Sequence, residues 1–245
     1  MSIHENIADQ VVRDAPAIPR DALADAFKIE HAATGVGANV NIPSALDDAI
    51  YASFKRGLDL MVAVPALIVL APLLALVAVL VRLDSKGPSL FRQTRLGLNG
   101  KPFDIIKFRS MTVQENGDVI RQASRNDARV TRLGRFLRAS SIDELPQLFN
   151  VIAGEMSIIG PRPHARAHDE MYSKLIDCYD LRQGMKPGIT GWAQVNGLRG
   201  ETPTVETMRA RVDYDLWYVN NANIALDIEI LLRTVVELFR RRNAF

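Results

Sequence analysis

The densest chemistry in the chain lies in Arg138-Ala-Ser-Ser-Ile-Asp143-Glu144-Leu-Pro146-Gln147. Proline is tolerated in the first turn of a helix, where its missing N–H costs nothing. With Asp143 as N-cap, Pro146 falls at the third helical position. Asp143 and Glu144 then sit at a helix N-terminus, where free N–H groups and the dipole stabilise anions. Two uses fit that placement. Asp143 caps the helix, which is a common use of Asp, or the acidic pair works on a phosphate.

A second cluster, Gly154-Glu155-Met-Ser-Ile-Ile-Gly160-Pro161-Arg162-Pro163, holds Arg162 between two prolines in an extended turn. An aimed guanidinium suits a pyrophosphate, and an exposed turn with a solvated Arg is the plain alternative. A third, Lys186-Pro187-Gly188-Ile-Thr-Gly191-Trp192-Ala-Gln194-Val-Asn196-Gly197, has loop-forming residues around a possible stacking face and hydrogen-bonding amides. It suits a nucleobase or sugar, and equally a packed turn. His164 and His168 have helical metal spacing, but Ala-Arg-Ala between them lacks the Glu of a zinc protease motif. No Gly-x-x-x-x-Gly-Lys-Ser/Thr loop and no Gly-x-Ser-x-Gly elbow occur.

The elements that must position these groups begin with a membrane segment. Leu60 to Val81 carries no polar or charged residue and ends at Arg82. A run of this kind is long enough to span hydrocarbon, which takes roughly 20 apolar residues. Pro65 and Pro72 interrupt it, and basic residues flank both ends: Lys55 and Arg56 before, Arg82, Lys86, Arg92 and Arg95 after. Positive charge holds both flanks on the cytoplasmic face. The pattern predicts a proline-broken helix that enters and leaves one leaflet over Leu58–Val81, turning near Pro72.

Two β-like runs follow, Ser89–Leu96 and Phe103–Phe108, joined through Asn99-Gly100, a strong hairpin signal. The remainder reads as mainly helical. Ile224 to Phe239 places Ile228, Leu231, Leu232, Val235, Leu238 and Phe239 on one face before Arg240, Arg241 and Arg242. Such a helix lies in the headgroup plane or packs on a core.

The whole chain has 245 residues with a formal net charge of +2, and that near-neutral balance argues against a nucleic-acid binder. Of its 30 basic residues 23 are Arg, which fits phosphate recognition, although a GC-rich genome yields the same bias. Cys178 is the sole cysteine, so no internal disulfide forms, in keeping with a reducing compartment. Residues 1–50 read as a flexible polar tail with a weak helix at Ala22 to Ala33, residues 51–86 as the membrane segment, and residues 87–245 as the catalytic domain. The expected fold is α+β, mainly helical and monotopic.

Lys55-Arg56-x-x-Asp59, Lys107-Phe-Arg109-Ser-Met111, Asp143-Glu144-Leu-Pro146-Gln147-Leu-Phe-Asn150, Gly160-Pro-Arg-Pro163 and Pro187-Gly-Ile-Thr-Gly-Trp-Ala-Gln-Val-Asn-Gly197 occur in this order. Over Phe54 to Phe245 the chain resembles the monotopic bacterial sugar transferases, the small polyprenyl-phosphate phosphoglycosyl transferases. The resemblance implies that Asp143 is the nucleophile and that Glu144 binds Mg²⁺. It places Lys107, Arg138, Arg162 and Asp215 around the substrate, and the third motif and its continuation add Gln194 and Arg199.

Leu198-Arg199-Gly200-Glu201-Thr202 and Arg211-Val-Asp213-Tyr-Asp215 are similar to the subgroup that starts exopolysaccharide chains with glucose-1-phosphate. Many members of that subgroup carry several N-terminal spanning helices and an extra domain, from which this chain departs. The implied partners are a UDP-sugar, undecaprenyl phosphate and inner-membrane lipid at the cytoplasmic face, with self-association left open. Two rival readings are a membrane scaffold that has lost catalysis and a glycosyltransferase that releases UDP.

Overall fold

The computed structural model describes residues 49–112 and 127–240, with side chains from Ile50 to Glu237. The expected tail, its weak helix, the side chains of Leu238 to Arg240, and Arg241 and Arg242 fall outside the described residues.

Helix α1 (Ala49–Asp84) is 36 residues long and contains both Pro65 and Pro72, neither of which ends it. A helix of that length would be roughly 54 Å if straight. One face carries Tyr51, Lys55, Asp59 and Ala63, four buried residues at i, i+4 spacing that dock against the main core. Past Pro72, Val77 and Val81 are buried against Phe108 and Leu137 in a separate cluster. The other face is apolar yet uncovered, with Met61, Ile68, Val69, Leu76 and Leu83 all exposed.

The first basic motif turns out to be an anchor. Lys55 Nζ lies 2.9 Å from Asp227 Oδ2 and 3.0 Å from the Tyr218 hydroxyl. Arg56 donates to the carbonyls of Val151 and Ile152 at 2.6 and 2.8 Å, satisfying orphan groups at the end of a later helix. Asp59 accepts from Ser157 Oγ and from the Ile158 N–H, both at 2.8 Å. At the far end of α1, Arg109 donates to the carbonyls of Ser85 and Lys86.

Strands β1 (Leu90–Leu96) and β2 (Pro102–Phe108) form the expected antiparallel hairpin, in register from Leu90 opposite Phe108 to Leu96 opposite Pro102. The turn places Asn99 at φ 54° and Gly100 at φ 71°, the left-handed region that Asn and Gly tolerate best. Helices α2 (Arg132–Ser140) and α3 (Gln147–Ala153) follow, separated by a single 3₁₀ turn at Ile142–Glu144. Gly134 of α2 sits against Ser110, where a Cβ would fall 2.0 Å from the Ser110 carbonyl oxygen. That contact requires glycine and ties α2 to the Lys107–Met111 motif.

Strand β3 (Ser157–Ile159) and strand β4 (Gly188–Thr190) pair in parallel. Between them lie α4 (Arg166–Tyr172) and a 3₁₀ helix at Tyr179–Gly184. Close approach is again a glycine matter: a Cβ on Gly188 would lie 2.1 Å from the Gly160 nitrogen. The second and third sequence clusters therefore meet backbone to backbone. The short α5 (Trp192–Val195), then α6 (Val205–Asn221) and α7 (Ile224–Arg240) complete the chain. Helix α7 buries Leu226, Asp227 and Ile230 and leaves Ile228, Leu232, Val235 and Val236 exposed, so it meets the core on one side with a second apolar strip facing out.

Among the described residues the architecture is mainly helical with two small two-stranded sheets, plus one helix long and apolar enough for membrane association.

Candidate active site

The acidic pair does not cap α3. Ser141 turns the chain through a left-handed residue (φ 60°), Asp143 and Glu144 occupy the 3₁₀ turn, and Pro146 directly precedes the first residue of α3. The tight turn lifts both carboxyls out of the helix and sets them in different surroundings.

Glu144 is wholly committed to cations. Its Oε1 lies 2.8 Å from Lys107 Nζ, and Arg162 grips it with both terminal nitrogens, NH1 at 3.1 Å from Oε2 and NH2 on Oε1. Lys107 arrives from the end of β2 and Arg162 from the double-proline turn after β3. Burial works to raise the Glu144 carboxyl, but Arg162 and Lys107 outweigh it and hold it well below the usual range.

Asp143 is also buried, yet among the described residues no hydrogen bond reaches its carboxyl. Burial, then repulsion from Glu144, pushes it up to about 6, against the pull of Lys107, Arg138 and Arg162. Adjacent residues thus form one firmly ionised carboxylate and one that titrates near neutrality.

Arg138 projects from the last turn of α2, its NH1 3.6 Å from Met111 Sδ. Arg199 reaches back across 58 residues to the Ser141 hydroxyl, and its guanidinium feels the charges of Arg162, Glu144 and Asp143. Lys107, Arg138, Arg162 and Arg199 therefore gather round the acidic turn.

Asp215 and Gln194 stand elsewhere. Asp215, on α6, accepts through Oδ2 from Arg182 NH2 and Nε at 2.6 and 3.2 Å, and Arg182 NH2 also donates to the Arg162 carbonyl at 2.5 Å. Asp215 sits behind Arg162, one residue removed. The Gln194 amide nitrogen is used within its own turn, 3.0 Å from the Ile189 carbonyl oxygen. Trp192 stacks on Trp217 with centroids 5.0 Å apart, and Arg233 lies 5.1 Å over the Trp192 ring, so this motif packs the β4–α5 turn against α6 and α7.

Sequence reasoning passed over Arg182 and gave no site role to His164 or Arg211. His164 Nδ1 lies 2.8 Å from Arg182 NH1, while His168 packs edge-on against Tyr172, so the two histidines do not converge. Arg182 sits in no motif whose spacing signals a site, His164 stood out only for its spacing to His168, and Arg211 only within Arg211-Val-Asp213-Tyr-Asp215; the fold brings the three together.

No group of three or more metal-ligating side chains occurs among the described residues. Mg²⁺ needs less, since one or two carboxylates beside substrate phosphates and waters suffice. Glu144 fits that donor set, provided it gives up part of its cation contact.

The model of the bacterial sugar transferase family matches residues 50–241. A UDP-glucose:undecaprenyl-phosphate glucose-1-phosphate transferase of Klebsiella pneumoniae is 52% identical over 192 residues, 78% of this chain and 41% of that protein. A protein of the same name from Caulobacter vibrioides is 53% identical over 191 residues, 78% of this chain and 72% of its own length. The exopolysaccharide production protein PSS of Rhizobium leguminosarum is 47% identical over 196 residues, 78% of this chain and 98% of that protein. The chain thus spans about two fifths of the Klebsiella relative and nearly all of the Rhizobium one. With the acidic turn, its cationic frame and the family match along nearly all described residues, the chain belongs to the bacterial sugar transferase family.

Proposed function

We propose that this protein transfers glucose-1-phosphate from UDP-glucose to undecaprenyl phosphate at the cytoplasmic face of the bacterial inner membrane, opening exopolysaccharide or capsule synthesis. The relatives' names supply the substrates. The observation that carries the chemistry is the contrast within the acidic turn: Glu144 is tied to Lys107 and Arg162, whereas Asp143 has a carboxyl bonded to no other described residue.

A nucleophile must keep a free lone pair, and Asp143 keeps one. An Asp143 oxygen attacks the sugar-bearing phosphorus, the bond from that phosphorus to the bridging oxygen breaks, and UMP departs with the electron pair. An oxygen of the lipid phosphate then attacks the same phosphorus, expelling Asp143 as a carboxylate. Two anions must approach each other in both steps, so positive charge has to be in place beforehand. Lys107, Arg138, Arg162 and Arg199 supply it from fixed elements. Mg²⁺, held by Glu144, would neutralise further phosphate charge when bound.

The domain division at residue 86 and the re-entrant course of α1 belong to the same proposal. Both halves of α1 pack on one catalytic domain, around Ala63 and around Val77, while a continuous apolar face points away. A helix crossing about 30 Å of hydrocarbon would carry one end away from that domain. Exposed Phe136, Phe149 and Ile152, with the outer strip of α7, would rest in the same interface.

Identifying the released nucleotide tests the reaction. UMP from UDP-glucose and lipid phosphate is expected. UDP would mean a glycosyltransferase, and no nucleotide release would favour a scaffold.

A further inference from the structure

Behind Arg162 lie three enclosed N–H donors for which no described residue provides an acceptor: Arg95 Nε, Arg211 Nε and His164 Nε2. Arg211 is 5% exposed and His164 7%, while Arg95 keeps some surface but encloses its Nε. His164 Nδ1 meets both the Tyr179 hydroxyl at 2.6 Å, whose proton goes to Asp169, and Arg182 NH1, which can only donate; with Arg182 as the donor Nδ1 accepts and Nε2 carries the proton.

Among the described residues, two of these side chains carry a charge with no anion in contact. Arg182 has Asp215 and Arg162 has Glu144. Among the described residues Arg95 hydrogen-bonds to the Gln93 side-chain oxygen and Arg211 to the Gly200 carbonyl at 2.8 Å, while Asp169 and Glu144 act on Arg95, and Asp215 on Arg211, only from a distance. A buried guanidinium without an anion is costly, and so is a buried donor without an acceptor. Burial and the charge of Arg162 pull both guanidiniums down to about 10, which records the same strain. His164 lies within electrostatic reach of Arg95, Arg162, Arg182 and Arg211. All three orphans are donors, and the surplus charge is positive. What satisfies both is an oxyanion rich in acceptors.

We propose that Arg95, His164 and Arg211 form a second phosphate subsite beside the one at the acidic turn. It rests on the transferase reading for the identity of its ligand, a phosphate of the nucleotide or of the lipid carrier, though not for the binding itself.

The test is thermal unfolding of the full chain in detergent, in chloride and in inorganic phosphate at matched ionic strength. Phosphate should raise the wild-type melting temperature, because a ligand bound only by the folded state stabilises it. Arg95→Met and Arg211→Met should melt above wild type in chloride, with a buried unpaired charge removed, and should lose the phosphate response. If Arg211→Met does not fold, Arg211→Lys, which keeps the charge but lacks the Nε–H, should need about tenfold more phosphate for the same rise. A rise with UMP and not uridine assigns the site to the nucleotide. A rise with a short polyprenyl phosphate and not its alcohol assigns it to the lipid. A wild type indifferent to all these phosphates, or variants that keep the full response, would overturn the subsite. UMP release on the same preparations separates the two proposals. Phosphate protection without UMP release removes the transferase and leaves the subsite; UMP release without protection does the reverse.

Discussion

The Lys107 ammonium stands 2.8 Å from Glu144 Oε1, a contact that joins the end of β2 to the turn before α3. Because Arg162 holds the same carboxylate from the other side, Glu144 stays ionised and its charge acts directly on Asp143. The opposite shifts of the two adjacent carboxyls follow from this.

Asp143→Asn should abolish turnover and any covalent phosphosugar adduct, since an amide is a poor nucleophile. Glu144→Gln should also be severe, through loss of the proposed metal-binding carboxylate and release of Lys107 and Arg162. Intact-mass spectrometry of enzyme quenched with UDP-glucose alone checks the first claim. An adduct mapped to another residue removes Asp143 from the role.

Activity should rise with pH through about 6 as Asp143 ionises. Lys107 favours the charged form, so Lys107→Met should move the inflection upward, and Glu144→Gln should move it downward by removing repulsion. Stability follows the opposite sign. Asp143 binds its proton more tightly folded than unfolded, so its stabilising contribution is complete below about 3.8 and is lost as pH rises through about 6. Asp143→Asn should therefore melt above wild type at pH 8, with the gap closing at pH 5. A gap that widens at low pH contradicts the assignment.

Asp215→Asn should cost about 3–5 kcal/mol of stability, because it strands the buried Arg182 guanidinium. Its effect on turnover should come through Arg182 and the Arg162 carbonyl it holds. Urea unfolding with parallel kinetics checks this. Full stability with a large rise in KM would instead make Asp215 a direct substrate ligand.

In a Cys178→Ser background, single cysteines at Ser53 and Ser85 should both resist an impermeant thiol reagent on intact cells and react once the inner membrane is opened. Labelling of Ser53→Cys from outside means that α1 spans the bilayer. Replacing Pro65 and Pro72 with Leu should favour a straight span, opposed by the basic flanks, giving a mixed topology or lost activity.

A donor panel should rank UDP-glucose first and UDP-galactose second. The epimers differ in the direction of one hydroxyl, and a site hydrogen-bonded to it can discriminate strongly. Best use of a UDP-N-acetyl sugar would refute the glucose assignment.

Local chemistry alone was enough for the hairpin at Asn99-Gly100 and the apolar run of α1, since each is written in contiguous residues; it marked the Asp143-Glu144 and Arg162 clusters as well, but left a helix cap and a solvated turn as competing readings of them. Turn residues, unbroken hydrophobicity and paired prolines act over a few positions, and their consequences survive folding. The order of the motifs, by resemblance, also named the family that the match over residues 50–241 bears out. Tertiary structure decided the rest. That Asp143 lies in a 3₁₀ turn and not at a helix cap depends on how Ser141 and Pro146 are held between α2 and α3. Lys55, Arg56 and Asp59 became anchors because their partners, Asp227, Val151 and Ser157, lie far along the chain. The placing of Asp215 behind Arg162, and the buried donors of Arg95, His164 and Arg211, arise where distant segments meet. Burial and unpaired charge are properties of the space between elements, and no spacing within one segment encodes them.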